Sequence, residues 1–464
     1  MSTTAGATAD GPTTATNTGF VVLAAVFAAL GGLLFGYDTA AISGAVIFIK
    51  KEFSLSTFPQ ELVVSMVLVG AAIAALSGGR LSDRFGRRAT LIVTSNIFVA
   101  GALVCAFATS FTWLLIGRTI VGVGIGLASS TVPVYISEVA PPQARGWQVS
   151  LFQLAVTVGI LIAYLVDYLF AASGGWRWML GLAVVPGLTL GLGMLYLPES
   201  PRWLARHGRR DKALEILTKI RGSANVQGEL REIEGTLDDA ASHRHWAELF
   251  NPALRPALIV GVGLAVFQQV TGINTVIYYA PTILQSAGFA SAGTAILATA
   301  GIGVVNVLMT LVAMWLVDRM GRRPLLLIGT TGMIASLGLL GFAFAGHRDN
   351  LAGIAVVTLM AYVASFAISL GPIFWLLISE IYPLRIRGLA QGTAAAANWS
   401  ANLVVSLTFL TLIDALGPAR TFWLYGVLAI ASWVFSYYLV PETKGRSLEE
   451  IEKSWRTSPA GRSA

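Results

Sequence analysis

Apolar residues come in runs of membrane length along this chain, each ended by a short polar motif. Twelve runs are predicted to be transmembrane helices, at 20–49, 62–79, 89–109, 111–136, 148–170, 178–197, 256–280, 293–317, 325–346, 353–378, 389–413 and 420–440. A helix rises ~1.5 Å per residue, so about 20 apolar residues cross a bilayer. Between the sixth and seventh runs lies 198–255, the one long polar segment, with 10 basic and 9 acidic residues. Within it, Asp211–Arg221 and Gly228–Ala240 read as short amphipathic helices.

The predicted fold class is therefore an all-α polytopic membrane protein of twelve transmembrane helices. Its expected parts are a disordered cytoplasmic tail at 1–19, a six-helix half at 20–197, a cytoplasmic linker at 198–255, a second six-helix half at 256–440 and a cytoplasmic tail at 441–464. The tail at 1–19 contains no Lys or Arg, so it lacks the positive start of a signal peptide.

Composition agrees with this pattern and removes alternatives. Hydrophobic residues make up 55% of the 464 and charged residues 12%, too few charges to coat a soluble protein of this size. The 49 glycines suit membrane helices, which tolerate glycine better than soluble ones. Cys105 is the single cysteine, so no intrachain disulfide forms, and its apolar surroundings predict simple packing.

The net charge of +7 is explained by topology. Of the 31 Lys and Arg, 25 fall on one side of the predicted ladder, 5 on the other, and Arg118 lies inside a span. Positive charge collects on the cytoplasmic side, which places both termini there. Nucleic acid is not needed as a partner.

A repeat supports the six-plus-six division. Asp83-Arg84-Phe85-Gly86-Arg87-Arg88 returns as Asp318-Arg319-Met320-Gly321-Arg322-Arg323, 235 residues on. Ser137-Glu138 with Arg145-Gly146 returns as Ser379-Glu380 with Arg387-Gly388, offset by 242, and Pro198-Glu199-Ser200 as Pro441-Glu442-Thr443, offset by 243. Two homologous halves of this kind are the architecture of alternating-access carriers, with the substrate held near midplane between them.

The repeated loops, together with Gly31-Gly32-Leu33-Leu34-Phe35-Gly36-Tyr37-Asp38, Pro198-Glu199-Ser200-Pro201-Arg202, Gln268-Gln269 through Gly272-Ile273-Asn274 to Tyr278-Tyr279, Gly371-Pro372 with Trp375, and Pro441-Glu442-Thr443-Lys444-Gly445, occur in order and in the right spans. From about residue 20 to 450 the chain resembles the sugar porter branch of the major facilitator superfamily, nearest in pattern to bacterial proton-linked xylose and hexose symporters and to facilitative glucose transporters. The resemblance implies transport rather than enzymatic catalysis, by a multi-pass protein of the inner cell membrane functional as a monomer, and the excess of arginine over lysine with many alanines points to a bacterium.

Asp38 is the most informative residue. A carboxylate inside the first span is costly, and Arg118 in the fourth lies at a similar depth, roughly 10–16 Å below the outer face at ~1.5 Å per residue. The two can pair, and an Asp that loses its Arg in one conformation takes up a proton. The resemblance implies the same: Asp38 matches the proton-accepting aspartate of the symporters, where facilitators usually carry asparagine, and Arg118 matches its partner. A static structural ion pair is the competing reading.

Gln268, Gln269 and Asn274 cluster in the seventh span, which Gly272 is expected to bend. Asn306 lies at similar depth in the eighth span, Gln153 in the fifth, and Trp375 follows an expected break at Gly371-Pro372 in the tenth. Amides both donate and accept, which suits a neutral polyol, and an aromatic face can stack on a sugar ring. The resemblance implies that these bind a neutral monosaccharide. Asn398 matches a position usually held by Gln, and its shorter side chain predicts a lost or water-mediated contact. Helix–helix adhesion is the alternative for any single amide.

Tyr278 and Tyr279 are implied to be an outer gate, the alternative being an interfacial aromatic belt. Asp83, Arg84, Arg88, Glu138, Arg145, Asp318, Arg319, Arg323, Glu380 and Arg387 are expected to be switch residues at the cytoplasmic face. The glycine run Gly122–Gly126 is expected to allow close helix packing, not to bind a nucleotide, and no phosphate-binding Gly-x-x-x-x-Gly-Lys-Ser/Thr loop exists. All four histidines fall outside the spans, which argues against a metal site. No cofactor is expected beyond the proton as coupling ion. A facilitator with an inert Asp38, a sugar sensor and an intramembrane enzyme remain as rival readings.

Overall fold

The computed structural model describes residues 18–141, 145–221, 226–241, 254–346, 350–382 and 387–445. Among them are twelve helices long and apolar enough to cross a membrane, and no strand. In the first half these are α1 (Thr18–Glu52), α2 (Thr57–Phe85), α3 (Arg87–Ala106), α4 (Phe111–Val139), α5 (Arg145–Ala171) and a sixth span broken into α6 (Trp176–Gly181) and α7 (Val184–Tyr196). The polar segment forms α8 (Pro201–Arg206), α9 (Arg210–Arg221) and α10 (Val226–Ala241). α9 and α10 match the two predicted amphipathic helices, and α8 was not foreseen.

The second half begins with a span in two pieces, α11 (Arg255–Val270) and α12 (Ile273–Ser286). Next come α13 (Ala292–Met320), α14 (Arg322–Ala345), a tenth span made of α15 (Leu351–Ala367) and α16 (Leu370–Glu380), α17 (Arg387–Leu416) and α18 (Pro418–Leu439). Most helices overrun the predicted spans by a few residues, because helix continues through the polar interface after the apolar run ends.

The breaks have local causes. Gly272 sits at φ +94°, a left-handed conformation that suits glycine, and ends α11 where the bend was expected. The tenth span breaks at Ile368-Ser369, slightly before the expected Gly371-Pro372. Pro372 then lies in the first turn of α16, where a missing N–H costs nothing. The glycine run of α4 is a packing surface: a Cβ on Gly122 would lie 2.0 Å from the Val67 carbonyl oxygen, and one on Gly126 2.3 Å from that of Ala71. Cys105 is free and buried.

Large apolar side chains such as Leu76, Phe107, Leu169, Val357 and Val427 point outward over the whole belt. A surface so apolar is stable against lipid and not against water. The two halves meet where α2 packs on α17, α5 on α13 and α1 on α12.

Candidate functional site

Arg118 and Asp38 meet inside the first half. Nη1 of Arg118 donates to Oδ1 of Asp38 at 2.5 Å, and neither side chain is more than 5% exposed. The guanidinium also donates from Nε to the Val63 carbonyl at 3.1 Å and from Nη2 to that of Val64 at 3.5 Å, so the fourth helix grips the second. Oδ2 of Asp38 is buried with no hydrogen-bond partner among the described residues. An ionised carboxylate has unused acceptor capacity there, and a protonated one has room for its proton on that oxygen. The predicted pairing therefore exists.

A second buried carboxylate, not among the sequence-predicted site residues, lies in the fifth span. Asp167 of α5 is 0% exposed, accepts from the Gly44 backbone N–H at 3.0 Å, and has no partner for Oδ1 among the described residues. Its side chain lies flat on α1 where Gly44 has no Cβ; an added one would sit 2.5 Å from Oδ2.

The predicted binding amides converge in the second half. Asn398 Nδ2 donates to Gln268 Oε1 at 2.6 Å and to the Ala265 carbonyl at 3.0 Å. Gln269 Nε2 donates to Asn398 Oδ1 at 3.1 Å and to Gln268 Oε1 at 3.3 Å, and Asn274 Nδ2 donates to Gln269 Oε1 at 2.7 Å. Gln268 Nε2 donates to the Leu370 and Gly371 carbonyls at 2.9 and 3.2 Å, in the first turn of α16. The four amides form one relay joining α11, α12 and α17. The shorter Asn398 side chain, expected to lose a contact, is the hub of this relay.

Gln153 is half-buried on α5 and Asn306 is buried on α13; neither joins the relay. Trp375 on α16 is 39% exposed, its ring edge-on to Phe374 at 4.7 Å. Trp399, beside the hub, packs on Phe35 of the first half with ring centroids 5.5 Å apart.

Tyr278 and Tyr279 are both buried on α12. Asn402 Nδ2 donates to the Tyr278 hydroxyl at 3.4 Å, and Tyr279 stacks on Phe409 at 5.2 Å and donates to the Ser406 carbonyl at 3.5 Å. Buried rings pinned by α17 are unlike the belt alternative, in which rings face the lipid interface.

The repeated motifs form two matching clusters at one end of the molecule. In the first half Arg87 clamps Glu138 through Nε at 2.9 Å and Nη2 at 3.1 Å and pairs with Asp83 at 3.0 Å. In the second Arg322 clamps Glu380 through Nη2 at 2.8 Å and Nε at 3.2 Å. Each pair joins two residues of one half. The clamping residue is the first arginine of each doublet, whereas the sequence reading chose Arg88 and Arg323. Arg88 Nε donates to the Met194 carbonyl at 2.9 Å, and Arg323 donates to that of Tyr437. Arg84 lies over Phe85 and Arg319 over Trp315, at 5.4 and 3.9 Å from the ring centroids. The side chains of Arg145, Asp318 and Arg387 lie outside the described residues.

Glu199 and Glu442 complete the clusters and were also missed as site residues. Glu199 Oε1 accepts from the Arg87 and Arg88 backbone N–H groups at 2.9 and 3.2 Å, and Glu442 accepts from those of Arg322 and Arg323 at 3.1 Å each. Each carboxylate caps the helix that starts after Gly86 (φ +97°) or Gly321 (φ +91°). Burial pushes the Glu199 carboxyl above its ordinary value, against the lowering effect of these donors. Glu442 is held below its ordinary value: burial raises it, but the N–H groups of Lys444, Arg322, Arg323 and Thr443 together outweigh that.

Two six-helix halves packed around an amide-lined centre define a membrane carrier, not an enzyme. The chain belongs to the family described as Sugar (and other) transporter, whose profile matches residues 24–455. It is 45% identical over 445 residues to a D-xylose transporter of Levilactobacillus brevis, covering 95% of this chain and 96% of the relative. It is 42% identical over 432 residues to the galactose-proton symporter of Escherichia coli strain K12, covering 92% of each. Its fold superposes on the proton:xylose symporter XylE bound to 6-bromo-6-deoxy-D-glucose with a TM-score of 0.80, at 36% identity over 95% of this chain and 100% of that one.

Proposed function

We propose that this protein imports a neutral monosaccharide, a hexose such as glucose or a pentose such as xylose, together with a proton, by alternating access in the plasma membrane. The observation that carries the reading is the buried Asp38–Arg118 pair, a coupling group in the half opposite the amide relay. Asp38 takes up the proton when Arg118 is drawn away, and Arg118 stabilises it ionised when the pair reforms. Gln268, Gln269, Asn274 and Asn398 turn from one another to the sugar hydroxyls, with Asn306 and Trp375 of the same half and Gln153 across the interface completing the site. Tyr278 and Tyr279 close over the sugar from outside.

The motif clusters face the cytoplasm with both termini, as the placement of positive charge supports. Asp83, Arg84, Arg88, Glu138, Arg145, Asp318, Arg319, Arg323, Glu380 and Arg387 serve there as the inner switch, with Arg87 and Arg322 as its clamps. The parts act as two six-helix halves, 20–197 and 256–440, joined by the 198–255 linker in one monomer. A proton crossing about 100 mV supplies about 2.3 kcal/mol, enough for roughly 50-fold accumulation.

Uptake of labelled glucose and xylose into proteoliposomes tests this. An inward proton gradient should drive accumulation above equilibrium. Equilibration that ignores the gradient favours the facilitator reading.

A further inference from the structure

A third acidic group sits where the two halves meet, at the end of the molecule opposite the motif clusters. Glu61, in the second turn of α2, is 0% exposed. Its Oε1 accepts from the backbone N–H of Thr411 at 2.8 Å, and its Oε2 from the Thr411 hydroxyl at 2.8 Å. Thr411 belongs to α17, in the other half. One turn outward, Thr57 Oγ1 donates to Asp414 Oδ2 at 2.5 Å. The helices run antiparallel, so positions 57 and 61 of one face positions 414 and 411 of the other.

Two features separate this contact from ordinary helix packing. The Thr411 N–H lies inside a helix, where it would normally serve the carbonyl four residues back, yet it also serves a carboxylate of the other half. Among the described residues no cation is bonded to the carboxylate, and its donors come from α17. Parting the halves at this end removes both donors. A bond present in one conformation and absent in the other sets the balance between them.

We infer that Glu61 and Thr411 form the outer latch of the transport cycle, holding the halves together on the external side while the site faces inward. The inference rests on the alternating-access reading. The latch is also tied to the proton site: Arg118, the partner of Asp38, holds the Val63 and Val64 carbonyls in the turn of α2 that follows Glu61. Thr57 and Asp414 are the exposed rim of the same contact.

Distance measurement between spin labels tests this without sugar flux. Labels at Lys51 on α1 and Ser286 on α12, both exposed and near this end, report the separation of the halves in a Cys105→Ala background in lipid nanodiscs. The wild type should give mainly the short distance. Glu61→Ala should raise the ratio of long to short by roughly tenfold or more, the factor carried by one lost charge-assisted hydrogen bond. Glu61→Gln, which keeps the shape, should shift it less, and Thr411→Val, which keeps the backbone donor, least. Folded Glu61→Ala and Glu61→Gln proteins with the wild-type distance distribution overturn the latch. If Glu61→Ala does not fold, the Gln and Val variants decide by the same criterion. A shift in distances with no sugar uptake by the wild type leaves the latch standing and removes the transport reading instead.

Discussion

Arg118 holds Asp38 at 2.5 Å in a space that solvent does not reach, while the second carboxylate oxygen of Asp38 has no partner among the described residues. The pair is complete in charge, and the second oxygen is the one that can hold a proton once Arg118 is drawn away.

The pair predicts that losing both partners costs less than losing Arg118 alone. Arg118→Gln leaves a buried carboxyl without its cation and should destabilise the protein by about 3–5 kcal/mol. Adding Asp38→Asn replaces that carboxyl, which must otherwise stay charged without a cation or take up a proton, by a neutral amide, so the double variant should melt higher than Arg118→Gln alone. Thermal unfolding in detergent at neutral pH checks the order; a double variant that melts lower than the single contradicts it.

Asn398 is the hub of the amide relay, bonded to Gln268, Gln269 and the Ala265 carbonyl. Asn398→Ala should leave the helices in place and free the two glutamines to turn away from the site. Sugar affinity measured by calorimetry should fall about tenfold, the effect of one to two net hydrogen bonds. Unchanged affinity in a folded variant would remove Asn398 and its relay from the site.

The two motif carboxylates predict opposite dependences on pH. The folded Glu442 carboxyl titrates below its ordinary value of 4.5, so it stabilises the fold above that value and loses the contribution as pH falls through the folded value. Glu442→Gln should therefore cost most at neutral pH, about 0.5–2 kcal/mol as for a lost helix cap, and nothing at strongly acidic pH. Glu199 titrates above its ordinary value, so its ionisation detracts from stability as pH rises. Glu199→Gln should cost less than Glu442→Gln at neutral pH. Melting curves of both variants from acidic to neutral pH decide; the reverse order contradicts the assignment.

The spans were legible because membrane thickness sets their length, and Asp38 because a charge inside a span is rare. Asp167 was equally inside its predicted span, but it belongs to no repeated motif and went unnoticed. Glu61 lies one residue before the predicted start of its span, so only its burial against α17 reveals it. The motif doublets could not be assigned from sequence. Adjacent helical residues point about 100° apart, and which arginine turns toward Glu138 or Glu380 depends on helix rotation. The relay around Asn398 depends on two helix breaks, and the tenth came before the expected position.

Asp38→Asn tests the central claim most directly. Wild type and variant are reconstituted in liposomes, and labelled sugar is followed both as accumulation under an inward proton gradient and as sugar-for-sugar exchange without one. Loss of accumulation with exchange retained is the predicted result. Gradient-driven accumulation by Asp38→Asn at the wild-type level would show that the proton is carried elsewhere.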